Sequence, residues 1–218
     1  MARGRSLGPL CTDLRNEKPR DERVDDLPHA LDAVPGAAEM KLHVGCGTRH
    51  LPGWVNLDSR PLPNVDKVCD VRKLDVWYKP NSVDEIYHCA LLEHLRPEEV
   101  VEVLDIFHRI LKPGGKLWSS VPDFTEIVAS YRDGEVQLSH LFGLLFGRGD
   151  YPENVHRCAF DFLYLDGLLR GAGFANVRRY DWRDFLPDGY DDFSRAYIPH
   201  MDFENGTAMM LNIVAEKR

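Results

Sequence analysis

The chain has 218 residues, of which 44% are hydrophobic and 28% are charged, and its net charge is −8 from 27 basic and 35 acidic residues. This composition is typical of one folded globular domain and excludes a mainly disordered or fibrous protein. The acidic balance also argues against a duplex nucleic-acid binder, because neutralising phosphates requires a surplus of Lys and Arg.

Neither a membrane span nor a secretion signal is predicted. The longest run without a charged residue or proline is Val136–Gly147, which has twelve residues, whereas a spanning helix needs about 20 apolar ones. Met1–Arg20 contains no apolar segment of the kind found in secretion signals. The cysteines are odd in number and form no CxxC pair, which predicts free thiols in a reducing, cytoplasmic compartment. They are Cys11, Cys46, Cys69, Cys89 and Cys158.

The first residues differ in composition from the rest of the chain. Met1–Glu39 contains Pro9, Pro19, Pro28 and Pro35 and has few apolar residues before Leu27. We therefore expect two regions: residues 1–39 as a partly flexible N-terminal extension that either covers an edge of the core or binds a partner, and residues 40–218 as the folded domain.

From Met40 onward, short apolar segments alternate with helical patterns. Four predicted strands come first, and each runs into a glycine or a polar residue: Lys41–Val44, Trp54–Leu57, Val65–Val68 and Glu85–His88. Ligands of open parallel sheets bind beyond such carboxyl ends.

The most regular helix pattern begins at Pro97, where a proline suits the first helical position, and ends before Lys112-Pro113-Gly114-Gly115. The remaining predicted elements are, in order, a strand Lys116–Val121, a helix Val136–Phe146, a helix around Leu165 that ends at Gly173, and strands Asn176–Tyr180 and Ala208–Ala215. This alternation predicts an α/β fold with a mainly parallel sheet, and the absence of a helix between the last two strands predicts that they pair antiparallel.

A Gly-x-Gly turn follows the first predicted strand. Gly45-Cys46-Gly47 can let a backbone approach a ligand closely, or it can simply make a tight turn. The dinucleotide fingerprint of a nicotinamide oxidoreductase needs a third glycine three residues later, where this chain has His50. Only Thr48–Gly53 separate the turn from the next strand, which leaves no room for a full helix.

Two carboxylates follow the next two strands. Asp58 can accept hydrogen bonds from a ribose diol, and Asp70 can accept one from an exocyclic amine such as that of adenine. Each could instead cap a turn. Their order after Gly45 and Gly47 favours a site for a nucleoside-type ligand.

Several motifs together resemble the class I S-adenosylmethionine (SAM) dependent methyltransferases. Leu42-His43-Val44-Gly45-Cys46-Gly47 resembles their first motif, and Leu92-Glu93-His94-Leu95 with the helix to Ile110-Leu111-Lys112-Pro113-Gly114-Gly115 resembles their central block. Gly171-Ala172-Gly173-Phe174 resembles their last helix–strand junction. The short connection Leu51–Asp58 is most similar to a branch of predicted methyltransferases, and the resemblance covers about Met40–Lys217.

The resemblance implies a Rossmann-like three-layer sandwich with a seven-stranded sheet, and it implies SAM as cofactor. Gly45-Cys46-Gly47 and Cys89 would then lie near the methionine end of SAM, Asp58 at the ribose, and Asp70 with the Val71 backbone at the adenine. This chain has Cys89-Ala90 where related sequences often have Ser-His, which puts a contact or base from that histidine in doubt.

Three residues are candidates for a general base, should the methyl acceptor be a hydroxyl. His94 could take this role or support the following helix, and Asp123 could take it or cap a helix Phe124–Tyr131. His156 lies in a loop after the predicted helix Val136–Phe146. No metal is expected, because His43, Cys46, His88, Cys89 and His94 have no zinc-site spacing.

Trp182–Asn205 is a long connection rich in aromatic residues, which predicts either part of an acceptor pocket or packing against the sheet. We therefore expect methyl transfer from SAM to a small-molecule or sugar-type hydroxyl, with O-methylation favoured over N-methylation. The alternatives are a non-catalytic, partner-binding methyltransferase-like subunit and an NAD(P)-dependent oxidoreductase. The sequence does not indicate an oligomeric state.

Overall fold

The computed structural model of the protein describes residues 39–134 and 136–218. The predicted extension Met1–Glu39, except for its last residue, lies outside these residues. The strands are β1 (Lys41–Val44), β2 (Val55–Asp58), β3 (Lys67–Val68), β4 (Val83–Cys89), β5 (Leu111–Pro122), β6 (Phe174–Arg179), β7 (Tyr197–Ile198), β8 (Thr207–Ala208) and β9 (Met210–Lys217). The helices are α1 (Leu74–Trp77), α2 (Pro97–Ile110), α3 (Phe124–Arg132), α4 (Leu138–Phe146) and α5 (Phe162–Gly171).

One sheet organises the domain, with seven strands in the order β3-β2-β1-β4-β5-β9-β6. Strands β1 to β5 pair in parallel, whereas β9 pairs antiparallel with both β5 and β6. The predicted seven-stranded, mainly parallel sheet with an antiparallel last strand is therefore confirmed. Because β1, β2, β3 and β4 run in one direction, their carboxyl ends meet at a single edge of the sheet.

Helix α2 covers one face of the sheet. It carries an apolar stripe that includes Val100, Leu104 and Phe107, all buried, and this stripe belongs to the same core as Leu42 of β1 and Ile86 of β4. Burying each such side chain contributes about 1.5–3 kcal/mol. Helices α1 and α5 contact α2 and complete this layer.

The opposite face is covered mainly by irregular chain. No helix lies between β1 and β2, as the short connection predicted. Residues 182–205, here called the aromatic segment, cover this face: the Phe185 ring stacks on Trp118 of β5 at 4.4 Å and lies 4.9 Å from the ring of Tyr87 of β4. Helices α3 and α4 add a smaller cluster around Ile127 and Leu141, so the fold has the predicted three layers.

The strand boundaries differ from the predictions where the chain bulges. β5 begins at Leu111 rather than Lys116, because Leu111 already pairs with Val83, and residues 112–115 bulge out before Lys116 pairs with Glu85. β6 begins at Phe174 rather than Asn176, whose φ of 52° marks a second irregularity, opposite β9. The predicted starts of β5 and β6 are therefore wrong because the chain bulges near both starts.

The predicted free thiols are confirmed for the four cysteines within the described residues, Cys46, Cys69, Cys89 and Cys158. Among the same residues, no helix is both long enough and apolar enough to cross a bilayer.

Candidate functional site

The Gly-x-Gly turn comes directly after β1 at the carboxyl edge of the sheet. Both of its glycines have positive φ, 69° at Gly45 and 55° at Gly47. A Cβ atom on Gly45 would lie 2.9 Å from Cδ1 of Leu91, so a larger residue would have to displace that side chain and also adopt a positive φ, which favours glycine here. Burial raises the pKa of the Cys46 thiol to about 12, so this thiol is neutral at pH 7 and packs in the turn.

Asp58 ties β2 to this turn. Its side chain is buried, and Oδ2 accepts a hydrogen bond from the Gly47 N–H at 2.8 Å. Oδ1 accepts from the backbone N–H and the Nε–H of Arg60, at 2.9 and 3.1 Å. A carboxylate can accept about four hydrogen bonds. Asp58 therefore keeps about one further acceptor position in this arrangement, and its contact with a ribose diol stays a prediction.

Arg60 and Tyr151 form a contact at this edge that the sequence did not predict. The Arg60 guanidinium lies 4.0 Å from the centre of the Tyr151 ring, in cation–π contact, while its Nε–H binds Asp58. Tyr151 belongs to the loop between α4 and α5, more than 90 residues from Asp58 in the chain. Sequence reasoning missed this pair because no local pattern connects the two segments.

Asp70 is held in a charged network at the end of β3. Its side chain caps the turn Val71–Lys73 by accepting the Arg72 N–H, and it also binds the Arg72 guanidinium through Nε and Nη2. The third guanidinium nitrogen, Nη1, donates to Glu99 of α2 at 2.8 Å. The Arg72 hydrogen bonds lower the pKa of Asp70. Asp70 and Val71 follow β3, and the Asp70 carboxylate is already paired, so the contact of these residues with adenine stays a prediction.

Glu99 anchors this network, and its replacement by glutamine should reduce stability in a pH-dependent way. The Arg96 backbone N–H, together with the Arg72 and Arg96 side chains, lowers the pKa of Glu99 from 4.5 to about 2. The stabilisation is therefore fully present above pH 4.5 and is lost as the pH falls through about 2. At pH 7 we expect Glu99→Gln to lower the free energy of unfolding by about 1–2 kcal/mol, as for other hydrogen bonds to charged groups.

Urea unfolding at pH 7 and at stepwise lower pH measures this effect. The free energy of unfolding lost in Glu99→Gln should become smaller as the pH falls from 4.5 to 2. The control variant Glu98→Gln, at an exposed neighbouring residue, should change the free energy of unfolding by less than about 0.5 kcal/mol. A loss that is independent of pH would contradict the ionic role of Glu99.

The chain after β4 brings together a carboxylate and two imidazoles. Glu93 is 1% exposed, and neither of its carboxylate oxygens has a hydrogen-bond partner. The His94 and His156 ring centres are 4.7 Å apart, edge to face, and donor atoms of all three side chains lie within 4.8 Å of one another. His156 Nδ1 hydrogen-bonds the Leu144 carbonyl at 3.0 Å. Two residues predicted as catalytic candidates are therefore neighbours, together with a glutamate to which no role was assigned.

Burial sets the protonation of these three groups. It raises the pKa of Glu93 to about 8, lowers that of His94 to about 4, and lowers that of His156 below its usual value. At pH 7 both imidazoles are consequently neutral and carry a free lone pair, while the carboxyl of Glu93 is mostly protonated.

Asp123 lies apart from this cluster. It follows β5, is fully buried, and caps α3 by accepting the Thr125 N–H at 3.1 Å. Its other oxygen accepts from Nη1 of Arg179 at 3.0 Å. The first contact favours the capping alternative and the second occupies the other oxygen, so a catalytic role for Asp123 stays a prediction.

Cys89 ends β4 on the face covered by the aromatic segment. It packs with Leu51, Tyr87 and Leu186, and burial raises its thiol pKa well above the usual value. A contact between Cys89 and the methionine end of SAM stays a prediction. The next residue, Ala90, has a φ of 53°, a left-handed conformation that L-residues adopt at a cost of about 1–2 kcal/mol.

The aromatic segment packs on the sheet and also reaches the glycine turn. Tyr87 donates its hydroxyl to Asp192 at 2.6 Å within the buried part of the segment. At the rim, Asp191 forms an ion pair of 3.7 Å with Arg49, two residues after Gly47. The segment therefore borders the predicted cofactor turn while most of its rings serve packing.

Comparisons with known proteins support a methyltransferase fold. Residues 42–119 match a protein family described as "Methyltransferase domain". A SAM-dependent methyltransferase from Archaeoglobus fulgidus has a similar structure, with a TM-score of 0.52 and 13% identity over 83% of this chain and 87% of that one. A SAM-dependent methyltransferase from Methanosarcina mazei has a TM-score of 0.50 and 17% identity over 86% of this chain and 99% of that one. No curated protein matches the sequence significantly.

Proposed function

We propose that this chain, which is a SAM-dependent methyltransferase with the class I fold, methylates a hydroxyl group of a small polar molecule such as a sugar. The observation that carries the proposal is the pair of neutral imidazoles, His94 and His156, in the turn after β4 and the loop facing it. This turn lies against the glycine turn through Leu91 and Gly45. An acceptor oxygen at the pair would therefore be next to the cofactor.

In this proposal the cofactor lies along the carboxyl edge of the sheet. The turn Gly45-Cys46-Gly47 and Cys89 face the methionine end, Asp58 binds the ribose diol, and Asp70 with the Val71 backbone faces the adenine. The hydrogen-bond acceptor position that remains on Asp58 and the close approach of the glycine turn to Leu91 at Gly45 support this placement. Arg60 must give up part of its contact with Asp58 to admit the ribose.

SAM supplies a methyl group that its positively charged sulfur has already activated, so the protein mainly aligns the acceptor oxygen with it. A bond forms between the acceptor oxygen and the methyl carbon while the carbon–sulfur bond breaks, and its electron pair stays on sulfur. The acceptor hydroxyl loses its proton beside the His94–His156 pair, and the proton passes to water. The products are a methyl ether, S-adenosylhomocysteine and a proton.

The polar rim of the site supports a small polar acceptor. Arg49, Asp191 and Arg60 border the glycine turn, and the aromatic rings of Tyr151 and Tyr190 lie beside them. Carboxylates, guanidinium groups and ring faces of this kind hold polyhydroxylated molecules through hydrogen bonds and stacking.

Fractionating a cell extract after incubation with the protein and methyl-labelled SAM tests the acceptor class. We expect the label in small polar molecules and not in protein, lipid or nucleic acid. Label recovered mainly in a macromolecular fraction would overturn the proposed acceptor. Protein heated before use serves as the control for methylation by enzymes of the extract.

A further inference from the structure

We infer that Glu93, His94 and His156 form a binding site for a divalent transition-metal cation such as Zn²⁺. Two imidazoles and one carboxylate are a donor set that such cations use when one position is left open for water or substrate. Cation binding itself stands on the geometry of the three residues. Only its catalytic consequence rests on the proposed function.

The three donor atoms are close to the spacing that a cation requires. They lie within 4.8 Å of one another, whereas donors of a tetrahedral zinc site are about 3.4 Å apart, given bonds of about 2.0–2.2 Å. Small rotations of the side chains close this difference. Glu93 and His94 are adjacent in one tight turn, and the Glu93 carbonyl accepts the Arg157 and Cys158 N–H groups, which fixes the loop that carries His156.

The hydrogen bond of His156 prepares its free nitrogen for a cation. Nδ1 donates to the Leu144 carbonyl, so the lone pair lies on Nε2. Metal-binding histidines commonly hold their second nitrogen in this way, which fixes both the tautomer and the orientation of the ring. His94 has a complementary arrangement: its Nδ1 is buried without a partner, and the carbonyls of Glu153 and Val155 lie near the ring.

The buried carboxylate of Glu93 has no hydrogen-bond donor in the described part of the chain to balance its removal from water. Within residues 39–134 and 136–218 neither of its oxygens has a hydrogen-bond partner. An unpaired buried carboxylate costs several kcal/mol in its charged form. A divalent cation between Glu93 and the imidazoles would stabilise the charged carboxylate and would give the unpartnered nitrogen of His94 a partner.

The cation would explain how the His94–His156 pair acts in the proposed reaction. A cation with an open position can bind the acceptor hydroxyl and lower its pKa, so that the oxygen loses its proton to water near neutral pH. The imidazoles then act as ligands that hold the cation rather than as bases. This inference differs from the expectation from the sequence that the protein binds no metal.

Titrating the metal-depleted full-length protein with ZnCl₂ in a calorimeter tests the inference without cofactor or acceptor. We expect one site per chain with a dissociation constant in the micromolar range or below, at least tenfold weaker binding in Glu93→Gln and in His156→Asn, and no site for Mg²⁺. His140→Asn changes an exposed histidine of α4 and should bind as wild type. Glu93→Gln preserves the shape of the side chain, so the variant should fold, which circular dichroism checks.

Absorption of bound Co²⁺ gives a second readout. The wild type should show the visible bands of a low-coordinate site, and Glu93→Gln should lose them. The inference is overturned if the wild type binds no stoichiometric cation, or if binding is unchanged in both ligand variants. The proposed function fails separately, if the protein binds the cation and SAM but methylates no hydroxyl.

Discussion

Replacing Asp58 with alanine is expected to weaken SAM binding by about tenfold to a hundredfold. In the proposed site the variant removes the hydrogen bonds of the ribose diol to the carboxylate, each worth about 1.5–3 kcal/mol, and water in the vacated space recovers part of this loss. It also frees the Gly47 N–H, which Asp58 holds at 2.8 Å and which keeps the glycine turn in place. Calorimetric titration of wild type and variant with SAM measures the change, and we expect micromolar binding for the wild type.

A carboxylate on another element separates this loss from a general effect of charge. Asp166 of α5 is half-buried, pairs with Arg170 one helical turn away and lies far from the glycine turn in the chain, so Asp166→Ala should leave SAM affinity unchanged. Melting curves show whether Asp58→Ala is folded at the temperature of the titration. A folded Asp58→Ala protein that binds SAM as tightly as wild type would refute the placement of the ribose.

Replacing either His94 or His156 with asparagine is expected to lower kcat by about a hundredfold or more while leaving the dissociation constant of SAM within about threefold. Loss of a group that activates a hydroxyl typically costs about 10²–10⁴-fold in rate. The two imidazoles are 4.7 Å apart and serve one acceptor oxygen, so the double variant should be little slower than either single variant. Initial rates of methyl transfer with the labelled acceptor fraction provide the measurement.

His140→Asn makes the same chemical change on the exposed side of α4 and should retain the wild-type rate. Equal loss of SAM affinity and rate in the His94 and His156 variants would mean that the pair supports the cofactor site and does not contact the acceptor. If the rate loss of the double variant equals the product of the two single losses, the two residues act independently.

Much of the fold could be predicted from local patterns. The helical spacing of apolar residues in α2 and the proline at its first position predicted the ends of that helix to within one residue. The observed ends of β1 are those that were predicted. The order of Gly45, Asp58 and Asp70 at successive strand ends also indicated one edge of the sheet, because parallel strands bring their carboxyl ends together. These features depend on neighbouring residues or on a regular topology.

The parts that were missed depend on contacts between distant segments. Glu93 stands in a recognised motif, but its burial and its approach to His156 arise only when the loop after α4 folds back and its N–H groups bind the Glu93 carbonyl. Arg60 meets Tyr151 in the same way. For Asp123 the sequence supported two roles equally, and the hydrogen bond from the Thr125 N–H favours the capping one.

Transfer of an isotope-labelled methyl group from SAM, followed by NMR of the product, tests the central claim most directly. Wild-type protein should form a labelled methyl ether on a small polar molecule, with one S-adenosylhomocysteine produced for each methyl group transferred. A product labelled on nitrogen or carbon, or SAM that remains bound without transfer to any acceptor, would contradict the account.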